Sequence, residues 1–128
     1  MKHRAAEPLR SAMAACDELI TRVGDVELDV YLQDRDLQLI TERLVIAVGE
    51  GVSKAAGIDE SVLVELPEAR RAIGARNRVA HGYEDIRNDI VWDIAVSNIP
   101  RLRNALADML GDASIPTDGH SGGQGSSP

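Results

Sequence analysis

The sequence predicts an all-α protein, an up-and-down bundle of four to five helices with a disordered C-terminal tail. Three observations carry this expectation. Apolar residues recur at helical spacing through four segments. The aromatic content is very low, with no Phe, one Trp and two Tyr, so a core must be assembled from Leu, Ile, Val and Ala, which suits close-packed helices. From Gly111 onward the chain turns to Gly, Ser and Pro, a composition that cannot support a packed element. The expected division is a helical domain over 1–112 and a flexible tail over 113–128.

The first helix begins near Pro8, repeats through Leu9, Met13, Cys16, Ile20 and Val23, and stops at Gly24–Asp25. The second runs from about Tyr31 to Ala56, with a stripe of Leu37, Ile40, Leu44, Val48, Gly51 and Ala55 and a stop signal at Gly57. A short turn or helix over 58–66 follows, with Asp59 as a possible N-cap. The third helix starts at Pro67, a residue suited to a first helical position, with Glu68 complementing the helix dipole. It carries Ala69, Ile73, Ala80 and four arginines and ends at His81, before Gly82. The fourth starts at Asn88 or Asp89 and runs through Val91, Ile94, Ala95, Ile99, Leu102, Leu106 and Met109 to Gly111. Pro100 falls inside that pattern and predicts a kink or short break.

A chain of 128 residues fits one domain with a sizeable core. The single cysteine, Cys16, excludes an internal disulfide and points to a reducing compartment. No stretch reads as a signal peptide or membrane span, so the expected location is cytoplasmic. The net charge of −7 argues against a general nucleic-acid coat, which needs a basic surface. That average hides a local reversal. Between Ala69 and Tyr83 there is no acidic residue, while Arg70, Arg71, Arg76 and Arg78 all fall there. An acidic body with one arginine cluster suggests one anionic ligand at one place.

The chemistry concentrates in Arg76-Asn77-Arg78-Val79-Ala80-His81-Gly82-Tyr83. Asn77 and His81, four apart, share a helix face, and Arg78 is three from His81. Arg76 lies well round an unbroken helix from His81, so the group converges only if the helix ends about there, with Gly82 turning Tyr83 back. A histidine can take a proton from a ribose 2′-hydroxyl or return one to a leaving oxygen. An arginine gives a phosphate forked donors and stabilises charge in the pentacovalent transition state. Together they could cleave RNA without a metal or other cofactor, and DNA, lacking the 2′-hydroxyl, should resist. Arg76 and His81 are the candidate catalytic residues. Asn77, Arg78 and Tyr83 are candidate supporting and RNA-binding residues.

This segment resembles the Arg-x4-His-x-Tyr motif of the HepT-like toxins, a branch of the HEPN superfamily. The likeness extends to Ala47-Val48-Gly49-Glu50, to Ile90-Val91-Trp92-Asp93-Ile94 and to Ile99-Pro100, and covers roughly residues 9 to 110. It implies a HEPN-like helical domain that forms homodimers, with motifs from both subunits lining a shared cleft. It implies a metal-independent ribonuclease toxin whose cognate partner is an MNT-type nucleotidyltransferase antitoxin. It further implies that the antitoxin can transfer AMP to Tyr83 and silence the toxin.

Blander readings stand beside these. His81 alone fits a residue favoured by the dipole at a helix C-terminus. Arg70 and Arg71 read as solvated or paired with Glu65 and Glu68, and Glu50 as a surface or interface ion pair. Trp92 and Tyr31 read as packing residues and Cys16 as core. His3 and His120 have no Cys or carboxylate at ligand spacing, so no metal site is expected. Two alternatives remain beside the ribonuclease: a non-catalytic nucleotide-binding or docking partner of a nucleotidyltransferase, and a purely structural bundle in which Arg76, His81 and Tyr83 do not meet.

Overall fold

The computed structural model describes residues 3–81 and 87–111. After a 3-10 turn over His3–Ala5, the described residues form seven α-helical segments: α1 (Ala6–Val23), α2 (Leu28–Tyr31), α3 (Arg35–Ile58), α4 (Ser61–Glu65), α5 (Ala69–His81), α6 (Asn88–Asp93) and α7 (Ile99–Leu110). A π-helical turn, Ile94–Asn98, joins α6 to α7. There is no strand among them. The all-α bundle is therefore as the sequence predicts, with four long helices and shorter connectors. The tail over 113–128 lies outside the described residues.

The long α3 is the central element, packed between α1 and α5, while α7 closes against α1. Short connections force neighbours to run antiparallel. Two glycines allow the close approach. A Cβ on Gly51 would meet the Pro8 carbonyl oxygen at 2.7 Å and Ala12 Cβ at 3.0 Å, on the α1 side. A Cβ on Gly49 would stand 2.2 Å from Arg76 Cβ and 2.8 Å from the Ala72 carbonyl oxygen, on the α5 side. Gly49-Glu50-Gly51 is thus the waist where three helices touch.

The core is aliphatic, built from residues such as Leu9, Leu19, Val45, Val48, Val52, Leu102 and Leu106, with Tyr31 fully buried among them. Burial of aliphatic side chains, at about 25 cal/mol per Å² of apolar surface, is the main force holding such a bundle. Trp92 packs at its margin and donates its indole N–H to the Val26 carbonyl at 2.9 Å, tying α6 to the α1–α2 link. Arg103 Nε reaches Asp17 Oδ1 at 2.7 Å and joins α7 to α1.

Several boundaries and one stripe differ from expectation. The second predicted helix divides in two, because Asp34 caps α3 by accepting from the Leu37 amide at 3.0 Å and Tyr31 is left in α2. Gly57 lies inside α3, which continues to Ile58. Pro67 and Glu68 form a turn, and α5 begins at Ala69. In the first half of α3 the buried positions are Gln38, Thr41 and Val45, while Leu37 and Leu44 are half-buried and Ile40 is exposed. The polar pair can go inside because their groups are satisfied. Gln38 Nε2 donates to the Tyr31 carbonyl at 3.0 Å, and Thr41 Oγ1 donates to the Leu37 carbonyl at 2.7 Å. The irregularity expected at Pro100 takes the form of the π turn, whose last bond runs from the Ile99 amide back to the Ile94 carbonyl. Gly111 ends α7 in the left-handed region with φ 83°, the usual glycine stop.

Candidate active site

Helix α5 presents two different sides. Ala69, Ala72 and Val79 are buried against the bundle. Arg70, Arg71, Gly74, Asn77, Arg78 and His81 are all exposed. At 3.6 residues per turn those six positions fall within an arc of about 120°. The helix therefore carries a solvent-facing strip of three arginines, an asparagine and a histidine, with no acidic side chain in it. No ion pair joins Arg70 or Arg71 to Glu65 or Glu68 among the described residues, so of the two expected alternatives, solvated or paired, both cations take the solvated one.

Arg76 lies outside this strip, about 100° round the helix from Asn77 at its edge and about 140° from His81. Its Cβ rests on Gly49, and its guanidinium bridges the groove between α3 and α5. Nη2 lies 3.6 Å from Glu50 Oε2, and Nη1 donates to Asn77 Oδ1 at 2.9 Å. Nε is buried with no hydrogen-bond partner among the described residues. Glu50 is thus an ion-pair residue, as expected, and its partner is the motif arginine. The bond to Asn77 draws the guanidinium toward the face that carries His81, because Asn77 and His81 are one turn apart. The described residues of α5 run to His81, and the helix end expected there borders residues outside the described ones. Gly82 and Tyr83 lie outside the described residues, so the expected return of Tyr83 toward Arg76 does too.

The other flank of α5 borders a cleft of about 480 Å³. Glu68, Arg71, Gly74 and Arg78 line one wall, Asp93 and Asn98 stand opposite, and Val48, Ile94, Ile99 and Leu102 contribute apolar surface. Sequence reasoning missed this cleft. The signal that could have found it is Pro100, since the π turn before it brings Ile94, Asn98 and Ile99 to the cleft.

Elsewhere the reactive groups are quiet. Burial, with a smaller push from Asp17, raises the Cys16 thiol to about 12, so it is protonated and inert at neutral pH. Burial likewise raises the Tyr31 hydroxyl to about 12. No cluster of three or more His, Cys, Asp or Glu side chains able to hold a metal ion occurs among the described residues. No helix among them is long and apolar enough to cross a membrane.

The fold and this helix define a class: a small helical bundle with an arginine- and histidine-bearing helix end suited to a polyanion. The chain belongs to the HepT-like ribonuclease family, whose model matches residues 13–109. It is also similar to a protein of Methanocaldococcus jannaschii named "Putative RNase MJ0127", at 23% identity over 97 residues, spanning 74% of this chain and 78% of that protein. No solved structure matches it.

Proposed function

We propose that this protein is a metal-independent ribonuclease toxin that cuts RNA at the exposed end of α5, with His81 as acid and base and Arg76 as the phosphate clamp. The observation that carries the reading is the Arg76–Asn77 bond, which links the motif arginine to the face bearing His81. Membership of a ribonuclease family supports the choice of RNA.

In the proposed reaction His81 takes the proton of a ribose 2′-hydroxyl. The 2′-oxygen attacks the adjacent phosphorus, and the bond from phosphorus to the 5′-oxygen breaks. The leaving oxygen receives a proton, leaving a 2′,3′-cyclic phosphate and a 5′-hydroxyl. Arg76 stabilises the extra charge on the pentacovalent phosphorus, and Arg78 and Asn77 hold the strand.

A homodimer fits this chemistry. On the antiparallel course that short connections favour, His81 would fall toward the N-terminal half of α3, where Leu39 and Ile40 are exposed. Self-association there would put two α5 ends on one RNA strand. The same reading has an MNT-type nucleotidyltransferase antitoxin silence the toxin by transferring AMP to Tyr83. RNA cleavage by purified protein in chelator, wild type against His81→Ala, tests the catalytic part. AMP found on Tyr83 without any RNA turnover would replace it with the docking-partner reading.

A further inference from the structure

The cleft beside α5 shares Arg78 with the chemistry just described but is otherwise unused by it, and one of its walls belongs to the same helix. Its size lies within the roughly 300–1,000 Å³ range of small-molecule sites. Val45, Val48, Ile94, Ile99 and Leu102 give it apolar surface suited to a flat ring. Its polar groups are two carboxylates, an amide and two guanidinium groups: Glu68, Asp93, Asn98, Arg71 and Arg78. Glu68 is the informative one. Its Oε1 is buried with no hydrogen-bond partner among the described residues. A carboxylate oxygen removed from water without a donor is costly, and a ligand N–H would relieve it. Gly74 keeps the wall open, since a Cβ there would meet nothing within 4 Å.

We propose that this cleft is a guanine-binding subsite that selects the nucleotide next to the one cut; the inference rests on the ribonuclease reading and adds base preference to it. The choice of base follows from the donor and acceptor pattern. Guanine alone among the standard bases offers two adjacent donors, N1–H and N2–H, and two adjacent acceptors, O6 and N7. The Glu68 carboxylate matches the donor pair, and the Arg71 guanidinium matches the acceptor pair. Uracil and cytosine lack one or the other.

The position fits a neighbouring nucleotide. Arg78 lines the cleft and lies three residues before His81, about 4.5 Å along the helix axis. A base seated in the cleft therefore leaves its phosphate at Arg78 and brings the next linkage to His81. The π turn supplies the opposite wall, because its wide register sends Ile94, Asn98 and Ile99 to the same side as Asp93.

The test is binding of GMP, IMP, AMP, CMP and UMP to the full chain, followed by methyl NMR, which requires no cleavage. GMP should bind about ten-fold or more tighter than UMP, shifting methyls of Val45, Val48, Ile94 and Ile99. IMP, which lacks the N2 amino group, should lose most of that advantage, as should GMP with Glu68→Gln. Equal affinity for the five nucleotides, or shifts mapping away from the cleft, would overturn the proposal. So would IMP binding as tightly as GMP, or a GMP affinity unchanged by Glu68→Gln. Because IMP needs no mutation, the result does not depend on the variant folding. GMP binding without RNA cleavage would sink the ribonuclease reading and leave the subsite standing. Cleavage indifferent to guanine would do the reverse.

Discussion

Two glycine-to-alanine substitutions, Gly49→Ala and Gly74→Ala, should move stability in opposite directions although both sit inside helices. At either site the added methyl improves helix propensity by about 0.8–1.0 kcal/mol. At Gly74 nothing opposes it, because the new Cβ meets no atom within 4 Å. At Gly49 the new Cβ would stand 2.2 Å from Arg76 Cβ and 2.8 Å from the Ala72 carbonyl oxygen. Carbon atoms settle at about 3.5–4.0 Å, so α3 and α5 must part locally by roughly 1.5 Å. The Ala72 oxygen is backbone and cannot swing aside. Overpacking of this kind costs about 1–3 kcal/mol, toward the upper end here because backbone must move. The net loss expected for Gly49→Ala is about 1–2 kcal/mol, against a gain of about 0.5–1 kcal/mol for Gly74→Ala. Urea melts followed by circular dichroism read both directly. Parting the helices also pulls Arg76 off its seat, so Gly49→Ala should lose RNA cleavage beyond its loss of stability. Equal stability of the two variants would refute the argument that Gly49 is where α3 and α5 touch.

Two further outcomes follow from the charges and the buried acids. Glu50→Gln removes an exposed partner of Arg76, so stability should change by under about 1 kcal/mol. Cleavage should nonetheless fall roughly ten-fold in kcat with little change in KM, since Arg76 loses its positioning rather than the strand its binding sites. An unchanged kcat would remove Glu50 from the account. Cys16 and Tyr31 each hold their proton more tightly when folded, with values near 12 against ordinary values of 9.0 and 10.0. The unfolded chain therefore releases those protons first. Their stabilising effect is complete below about pH 9 and is lost as pH rises toward 12. Denaturant midpoints measured across that range should fall, and Cys16→Ala should remove the earliest part of the fall. At pH 8 a thiol reagent should react with Cys16 only as fast as the protein opens.

What the sequence makes legible is what depends on local rules. Helical period, the start at Asn88 and the stop at Gly111 are written in neighbouring residues, and the structure agrees at each. The stripe of α3 was misread for a non-local reason. Gln38 is inside because it bonds to Tyr31, a contact that apolar periodicity cannot register. The π turn was foreshadowed by Pro100, but its consequence, a cleft shared with α5, depends on packing between distant segments. At the site, the clustering of arginines and the shared face of Asn77 and His81 follow from helix geometry alone. The seat of Arg76 on Gly49 does not, because it requires knowing that α3 and α5 are neighbours.

The central claim is that the Arg76–His81 end of α5 cleaves RNA through its 2′-hydroxyl. The most direct measurement is the chemistry of the ends left on a short RNA after incubation with the full chain in chelator. A 2′,3′-cyclic phosphate and a 5′-hydroxyl are expected, with no cut where the nucleotide 5′ to the linkage is 2′-deoxy and none by His81→Ala. A 3′-hydroxyl with a 5′-phosphate, a need for added divalent metal, or full activity in His81→Ala would contradict it.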